Sequence, residues 1–589
     1  MIQYIDGKGF FLAFIYGAEN LIKNREYLNR INVFPVADAD TGTNMASTLS
    51  SIIEGTEPAR SLKSTLQSMA DSGLSGARGN SGIIFTQYLL GISLELDDSL
   101  RVTAQSFSES AVKAIKHVYD SLVEPVEGTM LTVIKDWADA LLKQSNKTND
   151  VYELLQDAYR EALSSLEKTP AKLKVLADAK VVDAGAKAFV YLLEGILEYL
   201  KKGNYQLREM KLTKLPEDEL KDAHTDHTTG VRYCTEAVIG KPSLSLAEFK
   251  EKFRSYGQSF IVAGTTEKIH LHIHTDDPAR FFFDVKDYGL ILNIKVDDML
   301  MQYLISHQRK FPLGIVTDSA CDLPLELLEK YQIQRLSFGI NFGENIFLDQ
   351  KTILPEQFYS MLKMEKVHPV SSQPSPKHIE YLLEFMSNHY QRVYAVHISK
   401  ELTGIYQTAQ KYATKFTNIK AVNTRHLSVS QGLIVLRIAE AISSGMSAAE
   451  VDENLDTWIN KAHILTDVNT LKYLVRGGRV SPFKGIIAKA LNLKPILSVD
   501  KQGKAKAYGK SFSRKDNMKK ITAAIADMAK DNDIWKYAIV HADALDRALI
   551  YQDKLTTALG KEPAFVMPLS PVLGVHNGIG AVAIGIMIK

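Results

Sequence analysis

The segment at residues 32–45, NVFPVADADTGTNM, combines two closely spaced carboxylates with a run of small polar residues. Asp38 and Asp40 stand one residue apart and have no basic neighbour, so their charges repel each other. Mg²⁺ relieves such repulsion, because it takes oxygen ligands and usually binds one or two carboxylates together with substrate phosphates. The polar residues that follow are Thr41, Gly42, Thr43 and Asn44. Hydroxyls and backbone N–H groups at a helix start bind phosphate. The alternative is a solvated turn that caps a helix.

A second phosphate-type loop lies at residues 76–82, GARGNSG, directly before an apolar helix predicted over 83–91. Its three glycines let backbone N–H groups approach an anion closely, and the helix dipole adds positive potential. Arg78 offers a positive charge to a phosphate. Two further loops of small residues, at 127–130 and 182–186, lie between predicted helices. For each loop the alternative is an ordinary helix connection.

Residues 268–276, KIHLHIHTD, carry three alternating histidines. Alternate side chains of a strand share one face, so His272 and His274 can hold one metal ion together. Cys234, on a preceding predicted strand, adds a thiolate, and one Cys with two His is a suitable Zn²⁺ ligand set. The alternative is a strand that carries histidines without a metal.

Composition describes an ordinary soluble globular protein, with 45% hydrophobic and 23% charged residues among 589. A chain of this length predicts several domains. The net charge of +2 gives no reason to expect nucleic-acid or membrane-surface binding. We find neither a signal peptide nor an apolar run long enough to span a membrane, and two cysteines exclude a disulfide framework. These features predict a cytoplasmic protein.

Periodicity predicts three domains of different class. Residues 1–205 show apolar residues at helical spacing and predict an all-α domain. Residues 206–311 predict a small α+β domain with strands at 232–239 and 268–274. Residues 312–589 alternate strands with helices and predict an α/β domain with a mostly parallel sheet.

The four helical-domain motifs, taken in order, resemble a known family. NVFPV-x-D-x-D-TGTNM, GARGNSG, VEGTMLTV and VVDAGAK are similar to the nucleotide-binding (DhaL-type) subunit of dihydroxyacetone kinase, and most of all to the catalytic subunit of bacterial fatty acid kinase. The resemblance implies an eight-helix barrel that binds ATP and two Mg²⁺ at one end. One departure is Ala39, which stands where the family has glycine.

The same resemblance implies roles for individual residues. Asp38 and Asp40 are expected to be the catalytic Mg²⁺ ligands. The residues expected near metal, phosphate or nucleotide are Thr41, Thr43, Asn44, Gly79, Asn80, Ser81, Thr129, Met130, Asp183 and Gly185. The stretches YCTE and HIHT resemble the linker domain of the same fatty acid kinase, which implies a structural Zn²⁺ on Cys234, His272 and His274. His270 is additional to that pattern.

Residues 312–589 carry VTDSACDLP, SSQPSP, LTGIYQTA, VRGGRVSP and VLGVHNGIGAVAIG in this order, which resembles the DegV family of fatty-acid-binding proteins. The resemblance implies that Ser371, Thr403 and His576 hold a fatty acid carboxylate. From the residues alone, ordinary turn chemistry explains these polar segments equally well.

Together the resemblances predict a fused fatty acid kinase that converts ATP and a bound fatty acid to acyl phosphate and ADP, for phospholipid synthesis. A homodimer is expected, with transient contact to an acyltransferase or a membrane surface and no nucleic-acid partner. One alternative is a dihydroxyacetone-like (glycerone) kinase with a lipid-sensing domain. Another is a non-catalytic lipid-binding protein.

Overall fold

The computed structural model describes residues 2–35, 40–202, 230–364, 367–478, 494–511 and 513–589. The chain forms two compact units, the first made of Met1–Asp277 and Tyr288–Leu300 and the second of Pro278–Asp287 and Met301–Lys589. The domain boundaries given above stay predictions. None of the helices in the described ranges is long and apolar enough to cross a membrane.

The first unit begins with helices α1 to α11. Their bounds are Gly7–Lys23, Arg25–Arg30, Thr41–Gly55, Leu62–Gly76, Gly79–Glu95, Ala104–Ser121, Met130–Ser145, Val151–Glu167, Thr169–Lys172, Lys174–Ala179 and Ala184–Lys202. In the part that the structure describes, the helices of 15 residues or more are α1, α3 to α8 and α11. Each packs on its neighbours in this order, and α11 packs on α8 and α1 to close the ring. The all-α prediction is confirmed.

Local sequence explains where these helices begin. Asp6 accepts a hydrogen bond of 2.8 Å from the backbone N–H of Gly9, and Thr103 caps α6 in the same way. Such caps satisfy N–H groups that have no partner inside the helix. α6 and α8 bury one face each, whereas α5 is buried on most sides. α5 is therefore the central helix of the core of this unit.

The first unit ends with a four-stranded antiparallel sheet. Its strands are β1 Tyr233–Gly240, β2 Gln258–Gly264, β3 Lys268–Thr275 and β4 Leu290–Asp298, in the order β2-β3-β1-β4, and helix α12 spans Leu246–Phe253. Ile261 and Ala263 of β2 belong to the same apolar cluster as the helices. The sheet and the helical ring therefore share one core.

The second unit contains the remaining elements. Its helices α13 to α24 are Pro278–Val285, Met299–His307 (whose first two residues belong to the first unit), Leu325–Lys330, Pro355–Met364, Pro376–His389, Ile405–Ala413, Ser428–Ser443, Ala448–Asn460, Lys472–Arg476, Arg514–Asp531, Leu545–Leu559 and Pro571–Asn577. Its strands β5 to β17 are Leu313–Asp318, Gln334–Leu336, Gly339–Phe342, Asn345–Leu348, Val370–Ser372, Arg392–His397, Ile419–Asn423, Ala462–Asp467, Lys494–Val499, Ala505–Ser511, Ile534–His541, Val566–Pro568 and Val582–Ile588.

These strands form three sheets, and the α/β class is confirmed. The sheet β11-β10-β5-β6 is parallel throughout, as βαβ connections require. The sheet β14-β13-β12-β17-β15-β16 is antiparallel except for its last pair, and β8-β7-β9 is antiparallel. The expected mostly parallel sheet is therefore wrong for the second half of this unit, where the C-terminal strand β17 runs against both of its neighbours.

Candidate functional sites

Asp40 directly precedes α3, the helix that carries the polar run of the first motif. Its carbonyl oxygen accepts a hydrogen bond of 2.8 Å from the N–H of Asn44, in the first turn of this helix. Asp38 lies outside the described residues, so its expected role as a Mg²⁺ ligand stays a prediction from the sequence. Asp40 is the member of the pair that the structure places at the helix start.

The hydroxyls of the first motif are held by two asparagines. Asn29 accepts from the N–H of Thr43 at 3.0 Å and donates to its hydroxyl at 2.9 Å. The hydroxyl of Thr41 donates to the side-chain oxygen of Asn32. These contacts fix the start of α3 and the orientation of its polar side chains.

The GARGNSG loop joins α4 to α5 and is fixed from two directions. Arg78 donates its N–H to the hydroxyl of Thr48 in α3 at 3.0 Å. Gly79 donates its N–H to Glu236 Oε1, on strand β1, at 2.7 Å. Gly79 has φ of +62°, and a Cβ there would lie 2.9 Å from Asn44 Nδ2. Glycine is required at this position by backbone conformation and by close approach to the first motif.

A cavity of about 280 Å³ adjoins this loop. It is lined by predicted site residues, namely Asn80, Ser81, Thr129, Met130 and Asp183, and by residues of the sheet, including Gln258, Ser259 and Phe260. Asn80 Oδ1 is buried and has no hydrogen-bond partner among the described residues. An unsatisfied buried oxygen beside a cavity of this size fits a polar ligand such as a nucleotide.

Asp183 ties together two of the loops that line this cavity. Its carboxylate accepts from the N–H of Ala186 at 2.7 Å and from the N–H of Met130. Burial raises the pKa of Asp183 to about 6. A Cβ on Gly185 would lie 2.4 Å from Ser81 Oγ, so this loop packs directly on the phosphate-type loop. Asp183 therefore positions the helix starts at 130 and 184.

Cys234, His272 and His274 form the predicted cluster, with ligand atoms that all lie within 4.8 Å of one another. Cys234 pairs with His274 across β1 and β3. His272 Nε2 is buried and lacks a hydrogen-bond partner among the described residues. Burial lowers the pKa of His274 to about 3, so its ring is neutral, as a metal ligand must be. The set fits a metal ion such as Zn²⁺. His270 instead contacts Leu74 O at 2.9 Å and lies outside the cluster.

This cluster lies close to the first motif. Burial raises the pKa of the Cys234 thiol well above its usual value, and the negative charges of Glu236, Asp297 and Asp40 raise it further. The sheet therefore brings its polar face near the Asp40 end of the helical ring.

The second unit contains a cavity of about 420 Å³, lined largely by apolar side chains such as Ile464, Leu497 and Val499. Its lining includes all three residues expected to bind a carboxylate, Ser371, Thr403 and His576. The volume is within the range of roughly 300–1,000 Å³ that small-molecule sites occupy. An apolar cavity with a small polar cluster suits an amphipathic ligand.

Two buried carboxylates hold the short helix α24, which carries His576. Asp322 accepts from the N–H of Ser570 at 2.9 Å, and Asp349 accepts from the N–H of Val572 at 3.4 Å. Asp322 also accepts from the hydroxyl of Ser428, another cavity residue, at 2.5 Å. Burial raises the pKa of Asp322 to about 6 and that of Asp349 to about 8.

Sequence reasoning missed these supporting residues. Asp322 stands in the quoted VTDSACDLP motif, where a second aspartate four residues after the first was an available signal. Glu236 follows Cys234 at the spacing that places both on one strand face, which was also a usable signal. For Asp349 no local pattern indicates a role.

Comparisons with known proteins agree with this organisation. Family models match residues 35–198 as a DAK2 domain, residues 230–304 as the FakA-like middle domain of fatty acid kinase, and residues 312–589 as the DegV family. Uncharacterized proteins of Staphylococcus aureus strains MRSA252 and USA300 are each 34% identical over 316 residues, covering 51% of this chain and 57% of the relative. The chain thus spans little more than half the length of these curated relatives.

Two solved structures are similar to part of the chain. A DegV fatty acid binding protein from Bacillus subtilis is 25% identical, covers 48% of this chain and 100% of its own, and has a TM-score of 0.44. A fatty acid binding DegV family protein from Streptococcus agalactiae is 27% identical, with coverages of 48% and 100% and a TM-score of 0.45. From the three matched family models, this chain is a fusion of a DAK2 domain, a FakA-like middle domain and a DegV-family domain.

Proposed function

We propose that this protein is an ATP-dependent kinase that phosphorylates the carboxylate of a fatty acid bound in its DegV domain. The observation that carries the proposal is the apolar cavity in which Ser371 Oγ lies 3.2 Å from His576 Nε2, in a chain that also has a DAK2 domain. The family of the middle domain, which is named for fatty acid kinase, supports the same substrate class.

The helical ring is the nucleotide-binding part of this proposal. Asn80 and Ser81 are assigned to the phosphates and Thr129 and Met130 to the rest of the nucleotide, because they line one cavity. Asp38 and Asp40 are the residues assigned to Mg²⁺. Bound Mg²⁺ would neutralise phosphate charge, which is its usual contribution to phosphoryl transfer.

The chemistry asks little more of the protein than positioning. A fatty acid carboxylate is already ionised at neutral pH, so the step needs no general base. A carboxylate oxygen forms the new bond to the γ-phosphorus, the bond from that phosphorus to the β-phosphate oxygen breaks, and ADP leaves. The products are an acyl phosphate and ADP, and the proposed site residues act by orientation and charge neutralisation.

The DegV domain is assigned the role of acyl carrier. Burying a methylene contributes roughly 0.8 kcal/mol, so a chain of about 14 methylenes gains on the order of 11 kcal/mol before other terms. A ligand of this kind partitions into apolar surroundings, and the cavity in the second unit offers such surroundings. The hydroxyls of Ser371 and Thr403 and the ring of His576 would then hold the carboxylate by hydrogen bonds.

Fusion changes the encounter between carrier and kinase. Linking two modules turns the second binding step into an intramolecular one, with effective concentrations up to the mM range when the linker permits contact. A homodimer, transient contact with an acyltransferase or a membrane surface, and a cytoplasmic location stay predictions from the sequence.

The experiment that tests the proposal is ADP release by the full chain with ATP and Mg²⁺, measured with and without a long-chain fatty acid. We expect turnover that depends on the fatty acid, and none above background in an Asp38→Asn/Asp40→Asn variant. Turnover on dihydroxyacetone without fatty acid would instead support a triose-type kinase. Lipid binding without any ATP turnover would support a non-catalytic lipid-binding protein.

A further inference from the structure

The polar face of the β-sheet in the first unit is built from two cross-strand rows. Glu236 on β1 lies opposite His272 on β3 and Lys295 on β4. Cys234, two residues earlier on β1, lies opposite His274 and Asp297 in the same two strands. Directly opposed side chains on neighbouring strands are close enough to interact. The first row, centred on Glu236, is a charged cluster beside the predicted metal cluster.

This face packs on the loop between α4 and α5. His270 contacts the carbonyl oxygen of Leu74 at 2.9 Å, and Lys268 donates to the hydroxyl of Ser75 at 2.7 Å. The next contact along the row is the hydrogen bond of 2.7 Å from Gly79 N to Glu236 Oε1. Three successive positions of one β-strand face therefore follow the chain from the end of α4 to the start of α5.

Glu236 is held firmly in this position. Its side chain is buried, with 5% of the residue exposed, and its Oε1 lies 3.6 Å from His272 Nδ1. Burial opposes ionisation of the carboxyl, but the neighbouring charges of Lys295 and His272 outweigh it and hold the pKa well below its usual range. A buried, ionised carboxylate that lost its donor would be costly, so the contact to Gly79 is a stable part of the fold.

The contact fixes the residue before Asn80 and Ser81. Gly79 has a left-handed backbone, which must be set correctly for the next two residues to enter α5. Arg78, on the other side, is fixed by the hydroxyl of Thr48. Asn80 and Ser81 then line the cavity assigned to the nucleotide. Because Glu236 takes the N–H of Gly79, the expected role of this glycine as a phosphate donor passes to its neighbours.

We propose that Glu236, a residue of the middle domain, is a positioning residue of the nucleotide site, which holds the phosphate loop through Gly79. This inference rests on the proposed kinase function. In its light the sheet is a working part of the kinase, because it supplies the group that orients the loop as well as one wall of the cavity. Glu236 itself does not touch the nucleotide; it acts through the backbone of Gly79.

The test compares Glu236→Ala and Glu236→Gln with wild type in the full chain. A hydrogen bond to a charged group is worth about tenfold to hundredfold. We expect the KM for ATP to rise by that factor in Glu236→Ala and by less in Glu236→Gln, whose side-chain oxygen can still accept from Gly79. The KM for fatty acid should stay within about twofold, because the lipid is assigned to another domain. Thr235→Val is the matched control, since Thr235 is buried on the opposite face of the same strand.

Hydrogen exchange of the nucleotide-free protein tests the contact without relying on turnover. The amide of Gly79 should be protected in wild type and in Thr235→Val, and should exchange at least about tenfold faster in Glu236→Gln or Glu236→Ala. Unchanged exchange, an unchanged KM for ATP, or a lower KM that marks Glu236 as a competitor of phosphate would each overturn the inference. If wild type shows no ATP turnover, the kinase proposal fails, while exchange still judges the contact.

Discussion

Ser371 Oγ and His576 Nε2 lie 3.2 Å apart, although 205 residues separate them in the chain. Ser371 belongs to the short strand β9, and His576 belongs to α24, which follows β16. Both line the apolar cavity of the second unit, together with Thr403. This polar cluster gives the cavity a defined end at which a carboxylate can be bound.

The first prediction concerns this polar cluster. Ser371→Ala and Thr403→Val should each weaken fatty acid binding about tenfold, because each removes one hydrogen bond to a charged group. His576→Ala should weaken it at least as much. Titration of the purified, delipidated protein with a fluorescent fatty acid gives the Kd. Thr414→Val, at an exposed site after α18, is the matched control. Equal affinity in all variants would show that the head group binds elsewhere.

The second prediction concerns Gly477, which packs on the ring of His576. A Cβ at this position would lie 2.3 Å from His576 Nδ1, so Gly477→Ala must displace the imidazole. We expect this variant to lose fatty acid affinity nearly as far as His576→Ala does. Gly509→Ala, where the added carbon would meet Ile496 at an ordinary 3.6 Å, is the control. Full affinity in Gly477→Ala would contradict the assigned position of His576.

The third prediction concerns pH. Burial raises the pKa of Asp349 from 3.8 to about 8, with a further contribution from Asp322 and an opposing one from Arg335. The folded protein therefore keeps this proton to higher pH than the unfolded chain, and stability is lost as pH rises from about 4 to about 8. Asp349→Asn cannot ionise, so its Tm should exceed that of wild type at pH 8 by a few degrees, about 2–4 °C per kcal/mol.

Thermal unfolding of both proteins between pH 5 and pH 8 checks this expectation. The difference in Tm should shrink toward pH 5, where Asp349 keeps its proton in the folded protein. Asp553→Asn, an exposed change in α23, is the control and should follow wild type. A wild-type Tm that rises over this range relative to Asp349→Asn would have the wrong sign for a raised pKa.

The fourth prediction concerns the metal cluster. The purified protein should contain about one zinc ion per chain, as expected for a closed structural site, and chelation should lower its Tm. Cys234→Ser and His274→Ala should lose this metal, measured by plasma mass spectrometry. His270→Ala should keep it, because His270 contacts the backbone of Leu74 rather than the cluster. Zinc-free wild type, or equal zinc in all variants, would refute the site.

Much of the fold follows from patterns within single segments. Helical spacing located α6, α8 and α11, and alternation located β3, because burial of one face leaves a direct trace in the sequence. The direction of the strands in the last sheet did not follow. Pairing of β12 with β17 joins segments more than a hundred residues apart, and no local pattern reports whether such a pair is parallel.

The candidate sites show the same division. Spacing on one strand was enough to bring Cys234, His272 and His274 together. Resemblance was needed for Ser371, Thr403 and His576, since each lies in an ordinary polar loop of the sequence. The contact of Glu236 with Gly79 joins residues 157 positions apart, and only the packing of the sheet on the helical ring reveals it.

The central claim is formation of an acyl phosphate, and its most direct measurement is capture of that product. The full chain is incubated with ATP, Mg²⁺ and a long-chain fatty acid, and hydroxylamine converts any acyl phosphate to a hydroxamate that mass spectrometry quantifies. We predict hydroxamate in amounts that match the ADP released, in wild type and not in Asp38→Asn/Asp40→Asn. ADP released without hydroxamate, or phosphorylated dihydroxyacetone in its place, would contradict the account.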